Sequence, residues 1–211
     1  ILYTGGADER KNLPRLIQAF SALPAHLRNA YKLVLAGRMH VIPYLEEYAK
    51  SVGLKSKELC FTGYVTDEEL VQLYNLCKLF VFPSWHEGFG LPALEAMACG
   101  APTIGANTSS LPEVIALDVA LFDPFDVAAI AAKMAQALEN DPFRAKLREH
   151  GLRQAQRFSW DQSAKRAITA WESLRREHGS AGAYIDRSLS GPRLVQACAQ
   201  HLPSPESAAL T

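Results

Sequence analysis

The strongest constraint on the fold is an alternation. Short apolar runs recur along the chain, and nearly every one gives way to a segment with helical spacing. The runs are ILYT (1–4), KLVLAG (32–37), ELCFTGY (58–64), LFVFPS (79–84), APTIGA (101–106) and VALFDP (119–124). Most show no polar alternation, the pattern of strands in a parallel sheet covered on both faces. Between them, Leu13, Leu16, Ile17, Phe20 and Leu23 repeat at helical spacing, and a second helix is expected near 42–52. Thr66 and Glu69 fit a capping box ahead of the stripe Leu70, Leu73, Tyr74 and Cys77. A further helix over 91–99 stops at Gly100. Strand–helix repetition of this kind predicts an α/β fold, a Rossmann-like doubly wound parallel sheet of about six strands with C-terminal helices.

From Asp126 the pattern is wholly helical. Val127, Ile130, Met134 and Leu138 form one stripe, and Asp141-Pro142 opens another helix that breaks near Gly151 or runs to Phe158. Ser159 is the expected N-cap of a last helix carrying Ala164, Ile168, Trp171 and Leu174. The periodicity fades after residue 177. Residues 1–177 are therefore taken as one domain, and 178–211 as a linker or tail with a short helix at 192–201 that leads to another domain. The chain opens inside a strand and without methionine, so a longer parent protein is expected.

Composition narrows the partners. Lys+Arg and Asp+Glu both total 22, which argues against nucleic acid as the main partner. No apolar run approaches the ~18 residues of a membrane-spanning helix. Cys60, Cys77, Cys99 and Cys198 lie far apart with no C-x-x-C, and three sit in apolar segments. They are expected to be buried free thiols of a reducing, cytoplasmic compartment. His26, His40, His86, His150, His178 and His201 show no ligand spacing, so no metal is assigned, and His86 is taken as a loop residue near the cleft.

In an open parallel sheet, ligands bind beyond the carboxyl ends of the strands where strand order reverses. For six strands in the order 3-2-1-4-5-6, that crevice lies between strands one and four. The two most unusual loops follow those strands: TGGADERKN (4–12) and SWHEGFGLP (84–92). Each carries glycines and enters a helix with proline in its first turn, Pro14 or Pro92. Free amides at two such helix starts favour an anion, and a diphosphate fits a pair of them. Lys11 and Arg10 add positive charge. Glu95, placed in the first turn of the second helix, is open to two readings: an acid complementing the helix dipole, or an acceptor for two neighbouring hydroxyls, as in dinucleotide folds. Glu87, ahead of Gly88 and Gly90, is either a solvated loop acid or part of the same constellation.

The string PSWHEGFGLPALEAMACGAPTI (83–104) resembles the nucleotide-sugar loop of family 4 glycosyltransferases of the GT-B fold, with Glu87 and Glu95 at the spacing of their E-x7-E motif. GGADERKNLPRLIQAF (5–20), FTGYVTDEELVQLYNLCKLFVFPS (61–84) and RFSWDQSAKRAITAWESL (157–174) are similar to the same family's course. The resemblance implies the C-terminal, donor-binding half of such an enzyme. Glu87 would contact donor-sugar hydroxyls and Glu95 the ribose. Backbone at Gly88, Phe89, Gly90 and Leu91 would line sugar and diphosphate. Lys11 would bind phosphate beside Gly5 and Gly6, and Tyr64 and Val65 would lie by the base. The family often has arginine where this chain has Gly6, and Arg10 is the candidate to stand in.

The implied activity is transfer of a hexose, with GDP-mannose the favoured donor, to a glycan or lipid-linked acceptor in polysaccharide synthesis, with retention of configuration. The resemblance implies no metal or cofactor and a peripheral association with the inner membrane face through the whole protein. It also implies an N-terminal acceptor-binding domain, without which the isolated fragment would be inactive. Two rivals remain. Gly88, Gly90 and Ala93 satisfy G-x-G-x-x-A with Glu113 downstream, as in an NAD-binding oxidoreductase, although the fingerprint should follow the first strand. The other rival is a non-catalytic nucleotide-sugar-binding module.

Overall fold

The computed structural model describes residues 1–39 and 41–177. The expected tail, its helix at 192–201, Cys198, His40, His178 and His201 lie outside the described residues.

Six strands form one sheet: β1 (Leu2–Thr4), β2 (Leu33–Ala36), β3 (Leu59–Gly63), β4 (Phe80–Phe82), β5 (Thr103–Ala106) and β6 (Leu121–Phe122). Their order is β3-β2-β1-β4-β5-β6, and every neighbouring pair is parallel. The central strands β1, β4 and β5 are buried at every residue. Edge strand β3 has one neighbour and alternates between exposed and half-buried positions. This corrects the reading of the cysteines: Cys60 on β3 is exposed, and Cys77 and Cys99 are only half-buried, although all three are free thiols.

The helices are α1 (Leu13–Ser21), α2 (Ala25–Ala30), α3 (Ile42–Ser51), α4 (Asp67–Leu76), α5 (Leu91–Ala98), α6 (Leu111–Ile115), α7 (Val127–Glu139) and α8 (Asp141–Ala155). The short helices α2 and α6 were not anticipated, because five or six residues carry too little periodicity to detect. Thr66 caps α4 with the expected box: its hydroxyl accepts from the Glu69 amide, and the Glu69 carboxylate accepts from the Thr66 amide. α1 packs with α3 and α7, whereas α5 packs with α4, α6 and α8. Right-handed crossovers explain the division, since connections running from β1 toward β3 and from β4 toward β6 must cross opposite faces. Tyr3, Phe80 and Phe82 stack through the middle of the sheet, with ring centroids 6.1 and 6.0 Å apart.

These elements make up one compact unit, Ile1–Phe158. A second unit begins at Ser159 and contains α9 (Trp160–Glu177). Among the described residues, no helix is long and apolar enough to cross a membrane.

Candidate functional site

The chain leaves β1 and β4 in opposite directions, so the loops after these neighbouring strands flank a shared crevice. The first loop ends in a 3-10 turn, Glu9–Lys11, followed by Asn12 at a left-handed φ of 61°. The turn directs Lys11 inward, where it is 8% exposed. Asn12 does not cap α1 with its side chain. Its Nδ2 instead donates to the Pro83 carbonyl at 3.1 Å and the Pro124 carbonyl at 2.7 Å, tying the loop to the ends of β4 and β6.

The two loops meet directly. The Trp85 amide donates to the Arg10 carbonyl at 3.0 Å. Lys11 Nζ donates to Glu87 Oε1 at 2.7 Å, and Arg10 Nη1 donates to Glu87 Oε2 at 3.0 Å and to the His86 carbonyl at 3.2 Å. Arg10 Nε pairs with Asp8 at 2.9 Å. Glu87 is 9% exposed, so it is not a solvated loop acid. Lys11 also stands 5.6 Å from the Phe82 ring centroid. A lysine ammonium has three donor protons, and one bond to Glu87 leaves two for a ligand. Beside this cluster, the Arg15 guanidinium lies 5.9 and 5.4 Å from the Trp85 and Phe125 ring centroids.

The glycine-bearing loop is clipped by hydroxyls. Ser109 Oγ donates to the Glu87 carbonyl at 2.7 Å and accepts from the Glu87 amide at 3.2 Å. Ser110 Oγ donates to the Phe89 carbonyl at 2.7 Å and the Glu87 carbonyl at 3.1 Å. Gly90 starts α5 at φ 99°, and a Cβ there would stand 2.6 Å from a Leu111 methyl, so only glycine fits. On the first loop, Tyr3 Oη donates to the Gly6 carbonyl at 2.8 Å, and the Gly5 amide donates to the Ala36 carbonyl at 3.0 Å.

Glu95 occupies the fifth position of α5, one residue beyond the first turn, which contains no acid. This corrects the expected placement and removes the helix-dipole reading, because that effect fades within the first turn. Glu95 is exposed, and its Oε2 accepts from Tyr74 Oη at 3.0 Å. Tyr74 Oη is in turn 2.8 Å from Thr4 Oγ1. Burial pushes the Tyr74 hydroxyl far above its ordinary range, so it stays protonated. Tyr64 and Val65 follow β3, with the Arg38 guanidinium 4.6 Å from the Tyr64 ring centroid.

The structure thus brings Arg10, Lys11 and Glu87 together, and ties Glu95 to the end of β1 rather than to Glu87. Sequence reasoning missed Tyr74, Thr4, Ser109, Ser110 and Asn12. The signal for Tyr74 was a hydroxyl inside an otherwise apolar helix stripe. The G-x-G-x-x-A string follows β4, not β1, and Glu113 lies inside α6, well beyond the end of β5 rather than at that strand's end as the fingerprint requires.

Comparison with known proteins identifies the family and the fold. The family described as Glycosyl transferases group 1 matches residues 1–154. The serotype-specific mannosyltransferase WbdA of Escherichia coli is 45% identical over 196 residues, which is 92% of this chain and 24% of WbdA. The O-antigen chain mannosyltransferase B of Escherichia coli is 40% identical over 173 residues, 82% of this chain and 45% of that protein. This chain therefore spans about a quarter to a half of the length of these curated relatives. The solved C-terminal domain of a glycosyl transferase group 1 family protein (LpcC) from Francisella tularensis superposes with a TM-score of 0.64 at 26% identity, covering 74% of this chain and 82% of that one. The chain belongs to the group 1 glycosyl transferases, and its six-stranded parallel sheet is the Rossmann-like C-terminal half of their GT-B fold.

Proposed function

We propose that this domain binds a nucleoside-diphosphate sugar, GDP-mannose, and presents it for transfer to an acceptor hydroxyl in polysaccharide synthesis. The observation that carries the reading is the junction of Lys11, Arg10 and Glu87 across the β1/β4 switch point, with Glu95 held nearby on α5. The two curated relatives described above are mannosyltransferases by name.

In this reading the diphosphate lies between the starts of α1 and α5. Lys11, Arg10 and the backbone around Gly5, Gly6, Gly88, Phe89, Gly90 and Leu91 surround it. Glu87 accepts from donor-sugar hydroxyls, Glu95 accepts from the ribose, and Tyr64 and Val65 flank the base. The transferred sugar's C1–O bond to phosphate breaks as the acceptor oxygen bonds C1 from the same face, which retains configuration. The acceptor proton passes to the departing phosphate oxygen. Negative charge grows on that phosphate in the transition state, where each well-placed donor is worth about 3 kcal/mol. Lys11 is the principal such donor. No metal or cofactor takes part. The acceptor, a glycan or lipid-linked glycan, is held by an N-terminal domain of the whole protein, which acts at the cytoplasmic face of the membrane. The fragment alone binds donor without transferring it.

A thermal-shift series against GDP-mannose, UDP-glucose, ADP-glucose, dTDP-glucose and NAD tests the reading. GDP-mannose is expected to raise the melting temperature most and NAD not at all. A response to NAD alone would overturn it. Turnover of GDP-mannose by the full-length protein, absent in Lys11→Met, tests transfer.

A further inference from the structure

Tyr74 is fully buried on α4, its ring packed edge-on against Phe80 with centroids 5.5 Å apart. Its hydroxyl nevertheless leaves this apolar setting and reaches the exposed Glu95. A phenol has one proton, and Tyr74 places it on Glu95 Oε2. The close oxygen of Thr4 must then supply the proton between Thr4 and Tyr74. The result is a directed chain, Thr4 to Tyr74 to Glu95, running from the last residue of β1 through α4 to α5.

We propose that Tyr74, oriented by Thr4, is a positioning residue that sets the Glu95 carboxylate for a vicinal diol, the ribose 2′- and 3′-hydroxyls of the donor nucleotide. This rests on the donor-binding reading given above. A carboxylate has about four lone-pair sites. Tyr74 takes one, and Glu95 is exposed. The terminal torsion of an exposed glutamate is otherwise broad, so an unanchored Glu95 would lose that freedom on binding. The Tyr74 bond removes it beforehand. Because Thr4 directly precedes Gly5-Gly6, the same chain sets the ribose acid relative to the first phosphate loop.

The test measures binding of GDP and UDP, and of their 2′,3′-dideoxy counterparts, to the full-length protein by calorimetry. The proteins compared are wild type, Tyr74→Phe, Thr4→Val and Glu95→Gln. Tyr74→Phe keeps the buried ring and is expected to weaken the preferred ribonucleotide about five- to tenfold, the scale of a lost bond to a charged group acting indirectly. It should leave the dideoxy form unchanged. Thr4→Val acts from the other end of the chain and should give a smaller loss with the same selectivity, which keeps the proposal testable if Tyr74→Phe folds poorly. Equal losses on both nucleotide forms would reveal a merely structural role and overturn the proposal. A ribose-selective loss in Glu95→Gln without one in Tyr74→Phe or Thr4→Val would overturn it while leaving the donor reading intact. No ribose-selective loss in Glu95→Gln, or no binding of either diphosphate by wild type, would overturn the donor reading and the proposal with it.

Discussion

Lys11 Nζ lies 2.7 Å from Glu87 Oε1, joining residues 76 apart in sequence, and both side chains are buried. Breaking such a pair from one side leaves an uncompensated charge, although Arg10 retains its own bond to Glu87. Lys11→Met is expected to cost about 2–3 kcal/mol in urea unfolding and to abolish binding of nucleoside diphosphate. Adding Glu87→Gln to Lys11→Met should recover most of the stability and none of the binding. Recovery of both would show that Lys11 has no part in holding phosphate.

Ser110 donates one hydroxyl to two carbonyls of the 87–90 loop. Ser110→Ala should therefore cost about 1 kcal/mol in stability. It should also weaken donor binding, because the loop amides lose their fixed direction. Unfolding curves and calorimetric titration with GDP separate the two effects.

Gly90 and Gly88 sit two residues apart and are expected to respond differently. Gly90→Ala forces a left-handed residue against Leu111 and should destabilise by about 2–3 kcal/mol. A Cβ on Gly88 meets nothing within 4 Å, so Gly88→Ala should change stability by less than about 0.5 kcal/mol. Any defect of Gly88→Ala would then appear in nucleotide-sugar binding. Equal melting temperatures for the two variants would contradict the observed backbone.

Burial raises the Cys77 thiol from 9.0 to about 11. A group whose folded pKa lies above its unfolded value contributes fully below the unfolded value and loses that contribution as pH rises through the folded one. Stability should fall between about pH 9 and 11, with Cys77 accounting for about 2 kcal/mol. Tyr3 and Tyr74, also raised by burial, act in the same direction at higher pH. Cys77→Ala should flatten the lower part of the slope in denaturant unfolding measured from pH 8 to 11.

Much of the fold was legible because it depends on neighbours along the chain. The apolar runs at 1–4, 79–84 and 101–106 contain buried strands, Thr66 and Glu69 form their capping box, and Pro14 and Pro92 open α1 and α5. The alternation of strand and helix indicated a doubly wound sheet, and the common order of such sheets, 3-2-1-4-5-6, is the one observed, so the first and fourth loops meet. The resemblance around Glu87 and Glu95 pointed to the family that the comparison found.

Side-chain partners were not legible, because they are settled across the sheet. Nothing near Glu87 in the chain shows that Lys11 and Arg10 neutralise it, or that Ser109 and Ser110 hold the carbonyls around it. Tyr74 fits an apolar helix stripe equally well with its hydroxyl idle or engaged. Only the stacking of α4 beside α5 at the end of β1 directs that hydroxyl to Glu95. Periodicity and capping are short-range properties that a linear string encodes openly. Hydrogen bonds between distant loops depend on which strands lie side by side, and the molecule decides them only once the whole sheet has formed.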